Sequence, residues 1–396
     1  MTAATATTAG VAKPAAKASL AAMARYFAWL GTAGFGGPVV LVERMRRELQ
    51  EEREWYTAAE YKEGLALAQL APGPLAAQLA LYLGWVRRGI AGATTAGIAF
   101  VGPSFVMVLA LSAAYVRYGG LPWMRGAFYG IGAVVIALIA HSAWRLIRRT
   151  VGSDRLLWGL VAVNAAATAA TEREIIWLFL ASGAVVWMVR GVALRARPTA
   201  AVLLLPSWLL TGVHGEQAPR ALLAVLGYFA KAGAVVFGSG LAIVPFLHGG
   251  VVQGNHWLSE RQFLDAVAVS MITPGPVVIT VAFIGYLVAG PLGACAAAVG
   301  VFLPVYLVVV CVARWFHRVA QSRSLRAAVD GVTAAATGAI AGAVIVLGRR
   351  ALVDVPTCAM FSIALALVLA IKKLPEPVLI LSAGIAGVAV KGLVPS

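Results

Sequence analysis

The sequence predicts an all-α polytopic membrane protein of about 12–13 membrane segments, built from two homologous repeats of inverted topology with helices broken at Pro-Gly-Pro. Three observations carry that prediction. Of 396 residues, 61% are apolar and 12% charged, with a mean hydropathy of +0.87, against about 45–50% apolar and about 25% charged in soluble domains. Apolar blocks long enough for a bilayer core of about 30 Å recur along the chain. The two halves of the chain also align on each other at a nearly constant shift.

Taken in order, the apolar blocks lie near 21–42, 64–86, 90–118, 123–147, 155–171 and 174–190, then near 219–247, 262–288, 290–316, 326–348, 351–371 and 375–392. Residues 1–19 lack the apolar core of a signal peptide and read as a flexible tail. The first repeat is expected over 20–198 and the second over 219–396, with 199–218 as a connector or short helix carrying Pro206. Arginines between the blocks read as headgroup and cytoplasmic-side anchors, so the net charge of +16 calls for no nucleic-acid partner. Cys295, Cys311 and Cys358 sit in apolar stretches without metal-ligand spacing and are expected to be small core residues.

A shift of 202 residues places YFAWLGTAGFGG (26–37) on YFAKAGAVVFGS (228–239), Trp55 on Trp257, Glu63 on Asp265, and Pro72-Gly73-Pro74 on Pro274-Gly275-Pro276. Beyond that point the shift is 201, pairing Gly84 with Gly285, Gly89 with Gly290 and Gly92 with Gly293. Thr57-x-x-Glu60 and Ser259-x-x-Gln262 both fit a capping box. The Lys/Arg distribution favours an inverted arrangement and a cytoplasmic amino terminus, although Arg44, Arg46, Arg47 and Arg53 fall on the wrong side.

Pro-Gly-Pro inside an apolar segment removes amide donors and disfavours helix at the preceding residue, so the helices must break at 71–74 and 273–276. Non-helical backbone at membrane depth is tolerated where it is buried or lines a cavity, and matching breaks in two repeats point to a transporter's binding site. The half-helix that follows has free amides and a positive dipole end suited to an anion. Phe35, Gly36, Gly37 and Pro38, with Phe237, Gly238, Ser239 and Gly240, offer a second pair of openings. The plainer alternative is that these residues permit kinks and close helix packing.

Glu63 and Asp265 are matched acids near the start of the broken helices, candidates for proton coupling or, alternatively, solvated interfacial groups. Lys231 stands where the first repeat has Trp29, and is expected to bind the anion, to snorkel, or to pair with Asp265. The histidines form no metal motif, and neither a phosphate loop nor a nucleophile elbow is present, so no enzyme, cofactor or metal site is expected.

FGGP, LAQLAPGPLAAQ, FGSGLAIVP, FLDAVAVSMITPGP and FIGYLVAGPLGA together resemble the two-domain chromate ion transporter family, over about residues 25 to 390. The resemblance implies secondary transport of chromate, with sulfate as its structural mimic, as export linked to the ion gradient that confers resistance. Efflux by exchange with protons through Glu63 or Asp265 and uptake of sulfate-like anions by symport both fit as mechanisms. It marks Phe35, Gly36, Gly37, Pro38, Gln69, Pro72, Gly73, Pro74 and Gln78, then Phe237, Gly238, Gly240, Pro245, Thr273, Pro274, Gly275 and Pro276. Val39-Val40-Leu41 stands where the family usually has an Ala-His pair, and Met271 where it often has Gln. Uptake of sulfate or another oxyanion, and a lipid-handling membrane protein, are the alternative functions. The expected location is the inner membrane, and a homodimer is compatible with the sequence.

Overall fold

The computed structural model describes residues 18–35, 37–118, 121–172, 175–191, 218–235, 243–315, 323–371 and 375–393, and within them every element is helical. The tail to 17, Gly36, the connector containing 199–213, and the Phe237–Gly240 run lie outside the described residues.

The first apolar block is two helices. Ser19 caps α1 (Leu20–Ala33), which stops at Gly34, and α2 (Gly37–Met45) continues into a π-helical turn (Arg46–Glu52). The chain folds back, because Trp55 meets Tyr26, midway along α1, edge-on at 6.1 Å. The second block behaves alike: α3 (Ala58–Leu70) starts at the Thr57–Glu60 capping box and ends at the Pro-Gly-Pro turn. α4 (Leu75–Tyr118) then returns antiparallel, since Arg87 reaches Glu60 (2.7 Å) and Tyr56 donates to Leu83 O (2.8 Å). With 13 residues, α3 is about 20 Å long, too short to cross a bilayer core of about 30 Å. Blocks 21–42 and 64–86 are therefore re-entrant hairpins rather than single spans. Composition could not separate the two, because two half-helices bury as many apolar residues as one crossing.

At Arg88 and Gly89 (φ 56°) α4 turns sharply, and its long second arm crosses to the opposite face. Gly84 and Gly92 permit this turn, since a Cβ at either would overlap the other's carbonyl. α5 (Pro122–Val151), α6 (Arg155–Thr171) and α7 (Ile176–Gly191) complete the first repeat. The second repeat runs through α8 (Ala218–Val235), α9 (Ile243–Leu247), a π turn (His248–Gly254), α10 (Glu260–Ile272), a 3₁₀ turn (Val277–Ile279) and α11 (Thr280–Val312). It ends with α12 (Arg323–Ala351), α13 (Val355–Ala370) and α14 (Glu376–Leu393). The π turns and capped helices fall in register at the 202-residue shift, and α11 kinks at Gly290 as α4 does at Gly89.

The halves exchange their last helices. α5 packs on α13 and α14, whereas α12 packs on α6 and α7. Arg190, ending α7, bridges Asp154 before α6 and Asp330 near the start of α12. Its counterpart Lys391, ending α14, lies 4.7 Å from the Tyr129 ring, and Tyr129 near the start of α5 donates to Asp354 before α13 (2.6 Å). The start of α12 thus shares a face with the end of α5, so the equivalent helices run in opposite directions and the repeats are inverted. On the far face Arg350 joins Glu172 of the first repeat to Glu260 of the second, and His248 bonds the same Glu260 (2.7 Å).

This topology also places the troublesome arginines. The first hairpin returns Arg44, Arg46, Arg47 and Arg53 toward the face that carries Arg87, Arg88, Arg148, Arg149, Arg155 and Arg190. The three cysteines are exposed on outward helix faces rather than in the core. In a bilayer that surface meets lipid, where a small apolar residue is as well accommodated as in a core.

Candidate functional site

The two Pro-Gly-Pro turns are the tips of hairpins that end inside the apolar slab. In the second repeat, Thr273, Pro274, Gly275 and Pro276 are buried. Gly275 (φ +99°) donates its amide to Gly34 O of the first repeat at 3.0 Å. The Ser104 hydroxyl on α4 lies 2.8 Å from Pro274 O and 3.1 Å from Gly31 O. A buried serine therefore ties the second break to the opening at the end of α1. The turn closes with a 3₁₀ segment, and Thr280 donates to Val277 O (2.7 Å) before α11 starts.

The first break is built differently. Gly73 (φ +135°) faces Gln78 and Val305, the latter being the counterpart of Ser104 at the 201 shift. Gln78, fully buried, donates through Nε2 to Pro72 O at 2.6 Å, while its Oε1 has no hydrogen-bond partner among the described residues. The first intrahelical bond of α4 runs from Gln78 N to Pro74 O (2.9 Å), leaving the amides of Leu75, Ala76 and Ala77 at the turn. Gln69 is exposed one turn earlier on α3, apart from the carboxamide of Gln78.

Of the remaining candidates, Phe35 is exposed and Pro38 half-buried beside the α1–α2 break. Gly37 opens α2, whereas Gly36, Gly238, Ser239 and Gly240 fall outside the described residues. Asp265 is 4% exposed, and its carboxylate accepts from Tyr115 at 2.7 Å, not from Lys231. Glu63 is half-buried and bonded by Tyr82. The paired acids thus each carry a tyrosine hydroxyl, but only the second is deeply buried. Lys231 is half-buried on α8.

Sequence reasoning missed Ser104, Tyr115 and Arg44. Arg44 stacks 4.9 Å over Trp29, reaches the freed Ala33 O (3.4 Å), and pairs with Glu48 (3.3 Å). Its counterpart is Phe246, just as the counterpart of Trp29 is Lys231. Cation and aromatic have traded arms between the two hairpins, so each first hairpin carries one cation at this pair of positions. The exchange was visible in the alignment of the halves.

A separate crevice of about 380 Å³ lies between α4 and α11, walled by Gly97, Ile98, Val101, Val299, Phe302 and Leu303. The Thr94 and Tyr306 hydroxyls on its wall satisfy each other (2.8 Å). Among the described residues it offers an anion no free hydroxyl.

The model of the chromate transporter family matches residues 21–187 and again 223–388. The chain belongs to the chromate transporter family. Both matches fall on the repeats seen in the fold, and the chain is a multi-pass membrane transport protein rather than an enzyme. It is 54% identical to the chromate transport protein of Cupriavidus metallidurans over 96% of both chains. A probable chromate transport protein of Synechococcus elongatus is 53% identical over 93% of this chain and 95% of its own. The chromate transport protein of Pseudomonas aeruginosa is 34% identical over 91% and 90%. No solved structure matches.

Proposed function

We propose that this family member carries chromate out of the cell in exchange for protons, with the oxyanion held at the Pro72-Gly73-Pro74 break and the exchange conferring chromate resistance. The observation that carries the reading is the start of α4, where free amides, a positive helix end and the Gln78 carboxamide converge on a buried turn at hairpin depth. Arg44 and Lys231 on the flanking hairpins supply full positive charge near the path. The basic face that includes Arg87, Arg88, Arg148, Arg149 and Arg190 is the cytoplasmic one by the positive-inside rule. Asp265 takes the coupling proton, because burial at this depth makes its carboxylate costly to keep charged, a cost that the Tyr115 hydroxyl reduces only in part. Alternating access follows from rocking of the exchanged repeats, limited on one face by Asp154–Arg190–Asp330 and on the other by Glu172–Arg350–Glu260.

The lipid-handling alternative would need a sideways-opening cavity with polar groups for a headgroup. The α4–α11 crevice opens between membrane helices, but its two hydroxyls are bonded to each other. Radiolabelled chromate and sulfate flux into proteoliposomes tests the proposal: a pH gradient is expected to drive chromate accumulation, and Gly73→Leu to abolish it. Lipid turnover without anion flux would overturn it.

A further inference from the structure

Resting on that site, we infer that the substrate is recognised as a singly protonated tetrahedral oxyanion, whose one hydroxyl donates to Gln78 Oε1 while its other oxygens face the α4 amides. The orientation of the carboxamide is set by its own neighbour. Nε2 stands 2.6 Å from Pro72 O, and a flipped amide would set two acceptors against each other at that distance. Oε1 is therefore an acceptor, it is buried, and it has no partner among the described residues. A fully deprotonated oxyanion offers only acceptors and would meet it with repulsion. Beside it, the amides of Leu75, Ala76 and Ala77 offer only donors. A ligand that satisfies both sides carries negative oxygens and one O–H.

The same chemistry selects. Chromate takes up a proton close to neutral pH, whereas sulfate does so only in strong acid. A buried acceptor that must be bonded rejects an analogue lacking the donor more strongly than shape alone can. The second break has no such group: its counterparts to Gln78 are Ile279 and Thr280, and Thr280 is bonded to Val277 O. Discrimination thus belongs to the first repeat.

Equilibrium binding to the purified full-length protein, from mildly acidic to mildly alkaline pH, tests this with three tetrahedral probes. Sulfate keeps one charge state throughout and so reports titration of the protein's own groups, among them Asp265, whose neighbours are Tyr115 and Arg261. Perchlorate is a monoanion without a hydroxyl. Chromate affinity is expected to fall about tenfold per pH unit above neutrality, with sulfate weak and flat and perchlorate weak. Gln78→Leu is expected to remove the chromate slope, and Gln78→Asn to retain part of it. Equal slopes for chromate and sulfate, or perchlorate binding as tight as chromate, would overturn the inference on wild-type protein alone. Should Gln78→Leu weaken all anions alike, the site stands and the protonated form does not; should it change nothing, the site itself lies elsewhere.

Discussion

The two Pro-Gly-Pro breaks occupy equivalent places in an inverted pair of repeats, yet they are bonded in opposite ways. The second is sewn to the first repeat through Gly275 N to Gly34 O and through Ser104. The first packs against Val305, which has no hydroxyl to offer, and fills its own turn with Gln78, while Val236, the counterpart of Gly34, lies outside the described residues. Duplication preserved the break in the helix, and divergence then made one copy an anchor and the other a place with an unanswered polar group. Symmetry of motif is thus a poor guide to symmetry of role.

The largest expected effect separates the two glycines. A Cβ at Gly275 would overlap Ser104 Oγ at a backbone angle that L-residues rarely adopt, so Gly275→Leu is expected to collapse the yield of folded protein in a detergent thermal-stability assay. Gly73→Leu shares that backbone strain at φ +135° but meets only side-chain atoms of Gln78 and Val305 at about 2.8–2.9 Å, and is expected to lose less folded protein than Gly275→Leu while losing chromate flux. Equal loss of folding in both would erase the distinction.

Next comes the acid pair. Asp265→Asn is expected to uncouple flux from an imposed pH gradient by at least about tenfold while downhill chromate exchange persists. The equivalent change at the half-buried Glu63 should have a much smaller effect. Gradient dependence unchanged in Asp265→Asn would remove that residue from the coupling path.

Ser104→Val turns the anchor into its own counterpart. Pro274 O and Gly31 O lose a buried donor, which costs about 1–3 kcal/mol. Thermal unfolding should register that loss, whereas Val305→Ser should give no matching gain.

The smallest effect lies at the face. Arg190 holds the Asp154 carboxyl below its usual range through their hydrogen bond, assisted by the Leu157 amide. A depressed carboxylate contributes stability above its unfolded pKa and loses it as pH falls through the folded value. Arg190→Ala should therefore cost less than about 1 kcal/mol at neutral pH in low salt, with the difference fading on acidification and in high salt.

The fold class and the repeat were legible because composition, block length and a 202-residue register are all carried by the chain itself. The capping boxes at Thr57 and Ser259 appear where the spacing predicts them. Hairpins were not legible as such, since 21–42 and 64–86 have the apolar length of a crossing and only the tertiary return of Trp55 to Tyr26 and of Arg87 to Glu60 distinguishes them. Around the first break, Gln78 bonds Pro72 beside Gly73, whereas Gln69 turns outward and Lys231 does not meet Asp265. Ser104 escaped notice because its role depends on contacts between residues more than seventy positions apart. One serine in an apolar helix carries no such signal.

The central claim, that the oxyanion sits at the first break and not the second, is open to direct location. Chromium scatters anomalously, so crystals of the protein grown with chromate yield the metal's position without any model of the site. The account predicts a peak beside Gln78 and the amides of Leu75, Ala76 and Ala77; a peak at Gly275, or in the α4–α11 crevice with none at Gln78, would contradict it.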